Sequence, residues 1–256
     1  MLVEGKNALI VGLADHNSIA WGITRSLLRE GIANLAFSYQ ARFEKNVREL
    51  TKDIPNAFLL EADITLPETL DSAFAKLDEA WGGLDLMVHS IAAAKREELS
   101  GEFLNTSREG FLFAQEISAY SLVELSRRAV PLMEKRGGGS ILCLTYLGGQ
   151  RVVANYNVMG VAKASLEMAM RYLASDLGPR NIRVNALSPA PLRTISARGV
   201  SGLSDMFKTM EERAPMRRNV TKEEVGDAAL FFLSDLSRAV TGSVLFVDNG
   251  FHILGI

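Results

Sequence analysis

Apolar residues in this chain come in short, near-continuous runs separated by longer stretches with helical spacing. Seven runs read as strands: "NALIVG" (7–12), "LAFSY" (35–39), "AFLLEA" (57–62), "LDLMVHS" (84–90), "SILCLTY" (140–146), "IRVNALS" (182–188) and "SVLFVD" (243–248). Strands that are apolar on both faces and alternate with helices belong to parallel sheets covered on each side. Between the first two, "SIAWGITRSLLREG" starts at a serine suited to N-capping and stops at Gly31, as a helix should. Residues 109–135 and 157–178 are apolar at helical spacing, the latter running into "GP". No internal repeat, low-complexity tract or linker-like shift of composition divides the chain. The pattern predicts an α/β fold: a single doubly wound domain over 1–256, about seven parallel strands with helices on both faces. The exception is 192–215, "LRTISARGVSGLSDMFKTMEERAP", weakly amphipathic and interrupted by Gly199, Gly202 and serines. Ligands of open α/β sheets lie beyond the strand C-termini, where this segment emerges. It is expected to be a mobile lid, the alternative being a fixed surface helix.

Composition narrows the function classes. The chain has 256 residues, 48% hydrophobic and 23% charged, with net charge −2. A balance this close to neutral gives no reason to expect nucleic acid or an anionic membrane as partner. No apolar run approaches the ~20 residues that span a bilayer. Glu4 and Lys6 interrupt the start of the chain, where a signal peptide would carry its apolar core. The lone Cys143 excludes an intramolecular disulfide and reads as a small apolar strand residue. His16, His89 and His252 lack ligand spacing, so no metal site is expected. A cytoplasmic protein fits these features.

Three strand ends carry chemistry suited to a nucleotide. After the first strand, Gly12 allows a sharp turn and Ser18 opens a helix, whose exposed N–H groups and dipole favour a pyrophosphate. The spacing Gly12, Ser18, Gly22 does not match G-x-G-x-x-G, and an ordinary turn remains an alternative. Gln40 ends the second strand where dinucleotide folds read the adenosine ribose. A neutral Gln does not repel a 2′-phosphate, and Arg42 can attract one. After the third strand, Asp63 can accept from an adenine amino group while Ile64 packs on the ring; the alternative for Asp63 is a helix cap. Farther on, "NYNVMGVAKA" places Tyr156 and Lys163 seven residues apart. That is two helical turns, ~10.5 Å along one face. Such a separation suits two groups sharing a bound third body, or else an interfacial helix whose polar tips reach water.

Residues across nearly the whole chain carry a family resemblance: "SIAWGI", "VHSI", "TSREGF", "EISAYSL", "LTYLGG", "NYNVMGVAKASLE", "IRVNALS" and "VDNGFHI". They resemble the NADH-dependent enoyl-acyl-carrier-protein reductases of fatty-acid synthesis, in the short-chain dehydrogenase/reductase superfamily. Most of that superfamily pairs Tyr with Lys four apart, whereas Met159 stands four before Lys163 here, as in this branch. The resemblance implies a Rossmann-type fold and hydride delivery from NADH, NADPH not being excluded, to the β-carbon of a trans-2-enoyl thioester on acyl carrier protein. It implies that Tyr156 and Lys163 are catalytic, with Tyr146 a second pocket tyrosine whose alternative is core packing. Gly12, Ser18, Ile19, Gln40, Asp63, Ile64, Ser90, Ile91, Lys163, Leu192 and Thr194 become cofactor contacts by the same matching. It implies a homo-oligomer, commonly a homotetramer, and the apolar end "FHILGI" suggests a C-terminus buried in the chain or between subunits. Arg193, Arg198 and Lys208 can meet an acidic carrier protein, the alternative being a solvated basic face. The chain departs from the family at Pro189 and Ala190, where "AG" is usual, and at Ala93 and Lys95. Ala190 is expected to add a methyl and restrict the backbone, and Pro189 to remove a donor, changes that bear on pocket shape. Ketoreduction within the superfamily and a non-catalytic NAD-binding regulator are the competing functions.

Overall fold

The computed structural model describes residues 1–195, 197 and 202–255. The seven expected runs all form strands: β1 (Asn7–Val11), β2 (Asn34–Tyr39), β3 (Phe58–Glu61), β4 (Leu86–His89), β5 (Gly139–Leu144), β6 (Ile182–Pro189) and β7 (Val244–Val247). They make one sheet, ordered β3-β2-β1-β4-β5-β6-β7. Every pairing is parallel. Successive strand residues point to opposite faces, so Leu9 and Val11 of β1 enter one apolar cluster while Ala8 and Ile10 enter the other. On the first face lie α3 (Pro67–Trp81), α5 (Ser121–Lys135) and α6 (Asn157–Leu177), contributing Leu70, Leu125 and Met170 to the core. On the second lie α1 (Ile19–Arg29), α2 (Glu44–Thr51) and α8 (Lys222–Leu233), contributing Ile23, Val47 and Leu230. The strand order reverses direction between β1 and β4, and the crevice there is the usual ligand position of such sheets. Among the described residues, no helix is long and apolar enough to cross a membrane.

One expectation needs correction. The apolar stretch 109–135 is not one regular helix: α4 (Arg108–Gln115) passes through a wide π-turn, Glu116–Tyr120, before α5 begins. The hydroxyl of Ser121 donates to the carbonyl of Ile117 (2.7 Å) and accepts from His89 Nε2 (2.7 Å), so a side-chain pair stabilises the irregular turn. The apolar C-terminal turn is partly covered within the chain: Phe251 packs against the second cluster, and Ile253 is 66% exposed.

α1 and α8 cross with their backbones in contact. A Cβ on Gly22 would lie 2.3 Å from the carbonyl oxygen of Lys222, and one on Gly226 would lie 2.5 Å from that of Gly22. Ser26 and Arg29 of α1 bind Asp227 of α8 at 2.9 and 2.8 Å. Gly22→Ala gains up to about 1 kcal/mol of helix propensity. It forces two backbones apart at a cost of about 1–3 kcal/mol, since close-packed interfaces do not absorb an added methyl. Urea unfolding of that variant should show a net loss of about 1–2 kcal/mol; an unchanged midpoint would mean that the two helices separate freely.

Candidate active site

The parallel sheet gathers its chemistry at one edge. Gly12 follows β1 with φ +95°, and a Cβ there would sit 2.3 Å from the carbonyl oxygen of Ser90, just past β4. Both conditions require glycine. Gly12 N–H donates to Ser38 O and Ser90 N–H to Val11 O, each at 3.0 Å, so three strand ends are sewn together at the reversal point. Ser18 caps α1: its hydroxyl accepts from Trp21 N–H (3.2 Å) and donates to Asp15 O (2.7 Å). The other N–H groups of that first turn have no partner within the helix and open on the crevice. Ile19 and Ile91 are part-buried beside it, packed against opposite apolar clusters.

At the ends of β2 and β3, Gln40 Nε2 donates to Asp63 Oδ2 at 3.3 Å. The other carboxylate oxygen of Asp63 accepts from the N–H and the hydroxyl of Thr65, at 2.9 and 2.7 Å. Asp63 therefore closes a local turn and does not cap α3, whose N-cap residue is Leu66. Burial would raise its carboxyl pKa, but the Thr65 bonds, Gln40 and the nearby charge of Arg42 hold it below the ordinary value. The Arg42 guanidinium lies 4.7 Å from the Phe43 ring centroid, and Ile64 packs on the core beside Asp63.

β5, the turn Leu147–Gly149 and α6 bring the tyrosines and lysine together. Tyr156 stands immediately before α6, between Asn155 (φ +63°) and Asn157 (φ +38°). Asparagine tolerates this left-handed region better than most residues. The Asn157 amide also donates to the carbonyl of Gly101 at 3.2 Å. The Tyr146 and Tyr156 rings meet edge to face with centroids 4.9 Å apart. Burial, then Asp248, pushes the Tyr146 phenol up to about 12. Burial, then Tyr146, pushes the Tyr156 phenol up as well, so both are protonated donors at neutral pH. Among the described residues, neither hydroxyl has a hydrogen-bond partner.

Lys163 is buried and donates to Leu144 O at 2.7 Å, which leaves two of its three donors free. Burial pushes its pKa down to about 8, partly offset by Cys143 and Glu167. His89, fully buried nearby, is pushed down to about 3 by burial and by Lys163, and is neutral.

A cavity of about 540 Å³ adjoins these groups. Tyr146, Val153, Ser188, Pro189 and Ala190 form one wall, and α7 (Leu203–Arg213) supplies Met206 and Met210 opposite. The expected lid region thus contains a helix, anchored by the buried Phe207 and Met210. Leu192 packs on the core, and Thr194 Oγ1 accepts from Ala197 N–H at 3.1 Å. Arg193 stacks on Phe207, 4.4 Å from its centroid, and Lys208 pairs with Glu212 at 3.6 Å. Ser196, Arg198, Gly199, Val200 and Ser201 of the lid region lie outside the described residues.

The departures at 189 and 190 prove benign for the backbone. Ala190 is absent from the positive-φ positions, and its N–H donates to Val247 O at 2.9 Å. The added methyl therefore brings no backbone strain. Pro189 is in register with Val247 of β7 and lies two residues past Leu187, the last β6 residue in register with β5. Ala93 is held through Ser118 of the π-turn, whose hydroxyl bonds both its N–H and its carbonyl at 3.1 Å. Lys95 pairs with Glu109.

Several participants escaped sequence reasoning. Cβ atoms on Gly148 and Gly160 would come within 2.4 Å of the Tyr156 ring and 2.7 Å of Gly148 O, so both glycines let the turn lie flat on α6. The Gly148-Gly149 doublet was the available signal. Glu167 is buried beneath the turn, and Asp248 accepts from Gly250 and His252 N–H. No local pattern marked either.

The arrangement fits a dinucleotide. Glycine keeps the crevice floor open at Gly12, a helix N-terminus faces it, a Gln–Asp pair sits at the adenosine end, and a buried ammonium with free donors sits at the other. A family model described as enoyl-(acyl carrier protein) reductase matches residues 12–252. The NADH-dependent enoyl-[acyl-carrier-protein] reductase of Bacillus cereus is 52% identical over 257 residues, 99% of each chain. That of Bacillus subtilis is 51% identical over 254 residues, 98% of this chain and 97% of that one. Among solved structures, the Bacillus cereus reductase with NADP+ and indole naphthyridinone superposes with TM-score 0.96 at 51% identity, covering 100% of this chain and 99% of that one. The Anaplasma phagocytophilum reductase in complex with NAD gives 0.95 at 42%, covering 100% and 97%. With likeness of this extent in sequence and in structure, the chain belongs to the enoyl-acyl-carrier-protein reductase family of the short-chain dehydrogenase/reductase superfamily.

Proposed function

We propose that this protein reduces the carbon–carbon double bond of trans-2-enoyl thioesters on acyl carrier protein in fatty-acid synthesis, with NADH as reductant. The observation that carries the reading is the edge-to-face pair of protonated phenols, Tyr146 on the cavity wall and Tyr156 against it, at the start of the helix that carries a buried ammonium. Bound NADH supplies the hydride that adds to the β-carbon of the thioester. Negative charge then builds on the thioester oxygen, and a donor placed there stabilises the transition state more than the ground state. Tyr156 is that donor. Lys163 turns its two free donors to the nicotinamide ribose hydroxyls and adds positive charge beside the developing anion. Tyr146 fixes the Tyr156 ring by edge contact and faces the cavity itself.

The remaining contacts follow the crevice. Gly12, Ser18 and Ile19 receive the pyrophosphate, Gln40 the adenosine ribose, and Asp63 and Ile64 the adenine. Ser90, Ile91, Leu192 and Thr194 flank the nicotinamide half. α7 and the rest of 192–215 act as a lid over the acyl group, and Arg193 and Lys208 meet the acidic carrier. Ketone reduction is disfavoured because Met159, in the position of that chemistry's tyrosine, is buried with its sulfur 3.6 Å from Ser118 Oγ. The protein works in the cytoplasm as a homotetramer. Support for assembly comes from Tyr120, Met168 and Tyr172, large side chains at least half exposed on adjoining helices.

Purified protein should oxidise NADH, and NADPH less well, with crotonyl thioesters and leave 3-ketoacyl thioesters unreacted. Tyr156→Phe should lower kcat about a hundredfold with NADH affinity unchanged; full activity in that variant would remove Tyr156 from the chemistry.

Affinity for NADH should also depend on pH. Lys163 binds as an ammonium with a free-state pKa of about 8, so Kd is flat below that value and rises above it, up to about tenfold per unit. Titration by fluorescence should show the bend, and Lys163→Met should abolish it while weakening binding throughout. Sedimentation equilibrium should return four times the chain mass; a monomer at micromolar concentration would rule out the assembly.

A further inference from the structure

Glu167 is a buried carboxylate, 3% exposed, to which the proposed chemistry assigns no part. Its Oε1 accepts from Thr145 Oγ1 at 2.8 Å, and its Oε2 accepts from Gln150 Nε2 at 2.8 Å. Arg171 NH2 approaches the same Oε2 at 3.4 Å from a side chain that is 42% exposed. Thr145 and Gln150 bracket the turn that carries Tyr146 and the glycines beneath Tyr156. One carboxylate thus grips both ends of that turn. It stands four residues after Lys163, hence on the same side of α6. The groups acting on Lys163 are Glu167 from its own helix, Cys143 from β5 and His89 from β4. His89 is neutral, and Cys143 is held as a thiol by burial. Glu167 is then the only formal negative charge among them. Burying a carboxylate costs several kcal/mol unless it is well paired, and a half-exposed arginine at 3.4 Å is a weak pairing.

We propose that Glu167 is a positioning residue of the reductase: its carboxylate fastens the Thr145–Gln150 segment to α6 and balances the charge of Lys163, keeping the ammonium available to the cofactor. The proposal rests on the assignment of Lys163 to NADH binding. The direction of the Lys163 shift agrees with it, because Glu167 opposes the lowering caused by burial. Replacing the carboxylate by an amide removes that opposition and leaves the ammonium easier to deprotonate.

The test is the pH at which NADH affinity begins to fall, read by fluorescence titration on the intact protein, with near-UV circular dichroism as the folding check. E167Q should move that pH down by about 0.5–1 unit, the size of one charge interaction at this depth. E167D keeps the charge but shortens its reach, so its thermal midpoint should fall while the bend stays near the wild-type pH. A role in packing alone would lower both thermal midpoints and move neither bend. An unmoved bend in folded E167Q, or an equal shift in E167D, overturns the proposal. Should E167Q not fold, R171M, altered at an exposed cation that competes for Glu167, should move the bend upward; no upward movement overturns the proposal equally. A wild-type protein without the bend, or a K163M variant that retains it, defeats the Lys163 assignment and this proposal with it. A bend lost in K163M but fixed in E167Q defeats the role of Glu167 alone.

Discussion

All strands of the sheet run the same way, and the site depends on that constraint. In a parallel sheet each strand delivers its last residue to one edge, so Gly12, Gln40, Asp63, Ser90, Tyr146 and Ala190 become neighbours although they span most of the chain. The reversal of order between β1 and β4 opens the crevice, and the contact of Gly12 with Ser90 decides how deep it is. Each helix on the two faces then serves as backing: α1 presents its N-terminus to the crevice, and α6 presents the tyrosine and lysine.

Within that frame, desolvation shapes the chemistry. It raises two phenols and lowers an ammonium, so that the former keep their protons and the latter lies nearer to neutrality than a surface lysine. The same burial leaves His89 neutral, free to serve the π-turn through Ser121. That turn, through Ser118, holds the loop after β4 against the site. Flanking Tyr156, the residues Asn155 and Asn157 both take positive φ and bend the chain where the regular helix begins.

Much of this was legible before any coordinates. The strands were marked by length and apolar continuity, and α1 by Ser18 and Gly31, because these signals are local. The break in 109–135 was not legible, since its cause is a hydrogen bond to His89, thirty-two residues from Ser121. Asp63 showed two meanings in sequence, and only the placement of Gln40 and Thr65 separated them. Whether Ala190 is strained was not legible either, because strain depends on φ, which residue identity does not reveal. Glu167 looked like any helical glutamate; its depth is set by Thr145 and Gln150 arriving from across the β5–α6 connection.

The crossing of α1 with α8 has a bearing on biosynthesis. The helix heading the nucleotide crevice leaves the ribosome about two hundred residues ahead of the surface it rests on, which begins at Lys222. During translation α1 therefore waits with an apolar flank and the bare backbone of Gly22 uncovered. Firm closure of the crevice on its nucleotide thus waits for α8, which ties acquisition of the coenzyme to synthesis of a distant segment.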